Sequence, residues 1–138
     1  MLKPGDSGAA SFVVQMSDTA AVISISPEDR FPEVFATSRL IALMELAAAR
    51  AMKPFLQPGQ LSVGVGINVR HTAATPVGCT VRAVATFVRT DGRLSHFKLE
   101  AFDDAGPIGG GEHTRAVIDT ERLLSGAARR LARPASNA

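Results

Sequence analysis

The chain has 138 residues, 46% of them hydrophobic and 20% charged, which suits one domain spanning residues 1–138 and leaves no room for a second. Aromatic content is 5%, all of it phenylalanine, so there is no tyrosine or tryptophan platform for stacking nucleobases, and the lone Cys79 cannot close a disulfide within the chain. The net charge of +2 belongs to the tail: residues 121–138 hold four arginines against one glutamate and residues 1–120 carry −1, which argues against nucleic acid as a partner. The opening Met1 to Asp6 has no apolar signal core. Glu45 and Arg50 interrupt the longest apolar segment before it reaches the roughly 20 residues of a membrane span. A cytoplasmic protein with no membrane partner is expected.

In chain order, residues 8–25 carry two apolar clusters, Phe12 to Val14 and Ala20 to Ile25, around a polar break at Ser17 to Thr19, a pattern of two short strands. Residues 26–31 read as a loop containing Pro27. Phe35 to Met52, rich in Ala, Leu, Met and Glu and stopped by Pro54, predicts a helix that is apolar on nearly every side, as a helix wrapped by a sheet would be. From Ser62 the period falls to two, with Val63, Val65, Ile67 and Val69 on one face and Gly64, Gly66, Asn68 and Arg70 on the other. Thr80–Thr90, Leu94–Asp103 and Ile108–Thr120 predict three more strands, joined by turns at Asp91-Gly92 and at residues 104–107. The domain core is thus about residues 8–120, and the tail 121–138 predicts a short helix before Pro134 with residues 135–138 frayed. An antiparallel sheet wrapped around one long central helix is an α+β plan, that of a hot-dog fold.

Strand parity separates the histidines. His71 ends the apolar face that begins at Val63, which fits either a catalytic imidazole or one satisfied by backbone, whereas His96 shares a polar face with Lys98 and Glu100. His113 shares a face with Arg115 and reads first as a structural hydrogen-bonding group. Glu45 is the lone carboxylate in the apolar helix and, if buried, demands a partner; otherwise it faces a solvent gap. Thr37 lies eight residues before it on roughly the same side, either as part of a site or as the helix cap. No histidine or cysteine spacing supports a metal site, and Gly64 and Gly66 precede no helix, so they suggest close backbone approach to the helix or a ligand rather than a phosphate loop. The run Gly109 to Gly111 reads as a bulge.

Four blocks, FPEVFAT at 31–37, LME at 43–45, HTAATP at 71–76 and GEHTRAVI at 111–118, closely resemble the fluoroacetyl-CoA thioesterase family of hot-dog enzymes in order and spacing. The resemblance runs from about Phe31 to Ile118. It implies a homodimer that hydrolyses an acyl-CoA thioester at the dimer interface, with coenzyme A as part of the substrate and no other cofactor. It further implies Thr37, Glu45 and His71 as catalytic residues, Phe31 as a gating phenylalanine, Gly64 in the acyl pocket and Arg115 as a pocket arginine. Three positions before Phe31, where the family's fluorine-selective member has a second phenylalanine, this chain has Glu28. On this reading Glu45 is general base or nucleophile, His71 acid/base, and Thr37 orients Glu45 or water; backbone N–H groups near Gly64 or at the helix start hold the oxyanion. A non-catalytic dimer that binds an acyl-CoA or small apolar acid as a sensor is the alternative. A hot-dog hydratase would need an Asp/His pair in a motif this chain does not have.

Overall fold

The computed structural model describes residues 1–132; the expected Pro134 stop and frayed end at 135–138 lie outside the described residues. Its elements are β1 (Ser7–Val13), α1 (Thr37–Met52), β2 (Gln60–His71), β3 (Thr80–Asp91), β4 (Leu94–Asp103), β5 (Gly106–Asp119) and α2 (Thr120–Ala132). The strands form one antiparallel sheet in the order β1-β3-β4-β5-β2, so the predicted meander β3-β4-β5 is its centre and β2 is an edge. Alternate residues of the central strands, including Val81, Ala83, Ala85, Phe97, Leu99 and Ala101, are buried together with Leu40, Leu43, Met44, Ala47 and Ala48 of α1. Small side chains let the helix settle close to the sheet. At Gly8 of β1 the fit is so tight that a Cβ would run into the Ala47 carbonyl and the Ala51 nitrogen.

Four features depart from the sequence expectation. Ala20 to Ile25 is not a strand: 3-10 turns at Met16–Asp18 and Ala20–Ile23 replace it. The Asp18 carboxylate causes the turn, accepting from the Gln15 N–H at 2.8 Å while pairing with Arg39 of α1 at 2.9 Å. The helix begins at Thr37 rather than Phe35, because the preceding residues are held extended: the Phe35 N–H donates to the Thr75 carbonyl at 2.8 Å and the Ala36 N–H to that of Asp18 at 2.9 Å. Nor is the helix covered on every side. Ala42 is exposed, Leu46 is 45% exposed, and the arc through Ile41 and Glu45 is only partly covered.

The fourth departure shapes the site. The single apolar face expected from Val63 to His71 is divided by a β-bulge: Gly64 pairs with Arg115 and Gly66 with Thr114, leaving Val65 without an opposite residue. Directly opposed residues share a face of the sheet. Leu61 and Val63 therefore lie on the face of Ala116 and Ile118, while Ile67 and Val69, with His71, lie on the face of the buried His113. An extra residue in one strand reverses the alternation that follows it. A second irregularity falls at Ile108, one residue before the glycine run in which it was expected. Among the described residues no helix is long and apolar enough to cross a membrane.

Candidate active site

The extended residues before α1 deliver Thr37 to the end of β2. Val34 bridges Pro76 and Phe35 bridges Thr19, so the chain enters the helix between two anchored segments. The Thr37 hydroxyl does not cap the helix; Ala36 occupies the cap position with no side-chain bond. Instead Thr37 Oγ1 lies 2.8 Å from His71 Nδ1. The buried Phe35 ring and the imidazole meet nearly at right angles, with ring centroids 6.1 Å apart, and His71 Nε2 is closed off from solvent with no hydrogen-bond partner among the described residues. Burial pushes the His71 pKa down, and the Ala73 backbone partly offsets this. Thr37, His71, Phe35, Val34, Ala20 and Thr72 surround an open cavity of about 310 Å³.

Glu45 lies two turns further along α1 and belongs to a different cluster. Its side chain is 42% exposed, so it is not the buried charge that an all-apolar helix suggests; it faces an opening and still has an ionic partner. Arg115 Nη1 donates to Glu45 Oε2 at 3.3 Å. The Arg115 side chain is 7% exposed, and its guanidinium is anchored on β2, where Nε donates to Ser62 Oγ at 3.0 Å and Nη2 to the Ser62 carbonyl at 2.8 Å. Beside it, His113 Nδ1 lies 2.7 Å from the Gly66 carbonyl and Nε2 lies 3.2 Å from Arg115 Nη1. Burial lowers the His113 pKa, as does the neighbouring Arg115 to a smaller degree, while the Gly66 carbonyl and Glu45 act the other way. Burial also lowers the pKa of Arg115, opposed by Glu45.

Gly64 completes this cluster by what it lacks. A Cβ there would lie 2.6 Å from Glu45 Oε2 and 3.3 Å from His113 Cε1. Glu45, Gly64, Val65, Gly66, Ile67 and His113 line an open cavity of about 210 Å³.

The chain thus brings Thr37 to His71, and Glu45 to Gly64 and Arg115, but holds the two groups apart. Eight helical residues span about 12 Å, and among the described residues no hydrogen bond links Glu45 to Thr37 or His71. The expected bond from Thr37 to Glu45 is therefore replaced by one to His71. Phe31 lines neither cavity; it is 50% exposed in the loop before the helix. In that loop the Asp29 carboxylate accepts from the Ile25 and Ser26 N–H groups, and Glu28 accepts from the Ser26 hydroxyl. Sequence reasoning placed His113 on the face of Arg115 without assigning it to the site, and missed Ser62, whose alignment with Arg115 depends on the bulge.

Residues 14–121 match the family FlK, fluoroacetyl-CoA-specific thioesterase. The chain belongs to this family. It is 48% identical over 99 residues, 71% of each chain, to the fluoroacetyl-CoA thioesterase of Streptantibioticus cattleyicolor. The solved structure of the fluoroacetyl-CoA thioesterase FlK superposes with a TM-score of 0.87 at 41% identity, over 97% of this chain and 99% of that one. A Thermus thermophilus protein of the thioesterase superfamily superposes with a TM-score of 0.83 at 27% identity, over 94% and 92% of the two chains. Both clusters, together with Glu28 and Phe31, fall inside the stretch that defines the family, and nearly all of α2 falls beyond it.

Proposed function

We propose that the protein hydrolyses the thioester of a small acyl-coenzyme A to the free acid and coenzyme A. The observation that carries this reading is the Glu45 carboxylate, held against Arg115 over the bare backbone of Gly64 and open to a cavity of about 210 Å³, a size suited to a short acyl group. Glu45 attacks the thioester carbonyl or takes a proton from the attacking water. His71, neutral and set by Thr37, relays a proton from water to the departing thiolate, gaining one as it gives one. Orphan backbone N–H groups in the first turn of α1 or beside the β2 bulge are suited to hold the developing oxyanion. Gly64 and Arg115 shape the acyl pocket, and the exposed Phe31 gates it from the loop that also carries Glu28. No cofactor beyond the coenzyme A of the substrate is required.

The same reading makes the protein a homodimer of single-domain protomers. The edge of β2, unpaired among the described residues and with exposed Leu61, Val65 and Ile67, is a surface that a second copy can cover. A two-fold partner would set Glu45 of one copy opposite Thr37 and His71 of the other. The free thiol of Cys79 suits a reducing, cytoplasmic compartment.

A panel of short acyl-CoA esters assayed by thiol release and ranked by kcat/KM tests the assignment. Thermal stabilisation by those esters without thiol release would establish a sensor instead. Glu45→Gln should lower kcat by about 10³-fold or more with the fold retained, given the rate contribution of a positioned acid or base; near-normal turnover would remove Glu45 from the chemistry.

A further inference from the structure

The Arg115 guanidinium is gripped at two places, the edge that meets Ser62 and the corner that meets Glu45 and His113. The Ser62 contacts hold the Nε–Nη2 edge of the guanidinium, and a planar group held along one edge can still swing about it. The opposite corner, Nη1, is the one that reaches Glu45. Glu45 cannot by itself fix that corner, because its long side chain is 42% exposed.

His113 fixes it. The residue is 2% exposed, opposite Ile67 of β2 and Phe97 of β4. Its Nδ1 faces the Gly66 carbonyl at 2.7 Å, an oxygen that can only accept, so the ring proton resides on Nδ1. Nε2 then carries a lone pair, directed at Arg115 Nη1 at 3.2 Å, a group that can only donate. The two Nη1 protons are thereby divided, one to His113 and one to Glu45. We propose that His113 is a positioning residue that ties the Arg115–Glu45 pair to the carbonyl of the β2 bulge and so sets the direction of the Glu45 carboxylate. This rests on the reading of Glu45 as the reacting carboxylate.

Three variants and one spectrum test it. His113→Leu removes the acceptor and should lower kcat by about 10²-fold through misplacement of the carboxylate, with KM within about threefold because the loss falls on the chemical step. His113→Gln still offers an oxygen to Nη1 and should recover at least about tenfold of that loss. Glu45→Gln, assayed alongside, separates the two hypotheses: normal turnover there overturns the role of Glu45 and the proposal with it. Lost turnover in Glu45→Gln combined with a near-normal His113→Leu overturns the positioning role alone, as does a His113→Gln no better than His113→Leu. If His113→Leu does not fold, ¹⁵N spectra of the histidine-labelled wild type decide at neutral pH. A proton on Nδ1 alone supports the proposal; an Nε2–H tautomer or an imidazolium overturns it.

Discussion

A single methyl group is enough to test how Gly64 serves the carboxylate. In Gly64→Ala the added Cβ would stand 2.6 Å from Glu45 Oε2, and the flexible end of Glu45 must give way. Gly64 itself is exposed on β2, so the strand accommodates the change while the Glu45 carboxylate is displaced. We expect kcat to fall by about 10²-fold, the order of loss that follows a displacement of about 1 Å at a reacting group, with an unchanged circular dichroism spectrum. Wild-type kcat in Gly64→Ala would mean that the close approach has no catalytic consequence. The histidines give a second prediction at this scale. Burial favours the neutral forms of His71 and His113, so their folded pKa values lie below the unfolded value of about 6.5. The unfolded chain then binds more protons in the window below 6.5, and stability that is complete above that pH is lost as the pH falls toward the folded values. The thermal midpoint should therefore drop between pH 7 and pH 5, and His113→Gln should flatten the slope. A midpoint independent of pH across that window would contradict the burial argument.

Among the elements, α1 and the β3-β4-β5 meander follow from local pattern: an Ala/Leu/Met run with a proline stop, and alternating segments separated by turn residues. The fold class could be read from those elements, and Glu45 stood out as the lone carboxylate of an apolar helix, but only the resemblance joined it to Thr37 and His71, and the contact between Thr37 and His71 was not foreseen because it joins the start of the helix to the far end of a strand. The elements that resisted are set by tertiary contacts. Ala20 to Ile25 has the composition of a strand, but Asp18 ties it into turns through Arg39, twenty-one residues away. The bulge at Val65 has no sequence signature beyond its flanking glycines, yet it decides that Ser62 and Gly64 meet Arg115, and it breaks the apolar face that simple alternation requires. Strand and helix packing yields a prediction free of the chemistry. Gly8→Val would push β1 off the Ala47 carbonyl and the Ala51 nitrogen. Overpacking of this kind should cost about 3 kcal/mol, read from the urea midpoint, with kcat/KM of the remaining folded protein preserved. A change of less than about 0.5 kcal/mol, the range of ordinary surface substitutions, would mean that the β1–α1 contact can slip.

For the whole molecule, the separation of the two clusters is the decisive quantity. About 12 Å along α1 is too far for one thioester carbon to touch both Glu45 and the Thr37–His71 pair of the same chain. A two-fold axis would resolve this without moving either group, since an isologous interface can place each patch opposite the other's complement. Each dimer would then hold two sites, each built from Glu45 of one copy and Thr37 and His71 of its partner. Mixing two inactive proteins tests this directly. Glu45→Gln and His71→Ala homodimers have no intact site, but a mixed dimer has one, made from the Glu45 of the second variant and the His71 of the first. Random exchange at equal concentration makes half the dimers mixed, so activity should return to about a quarter of wild type on subunit statistics. It should appear at the rate of subunit exchange and vanish when exchange is blocked by cross-linking each homodimer beforehand. If the site lies within one chain, neither variant can repair the other, and the mixture stays inactive at every ratio even while mixed dimers form.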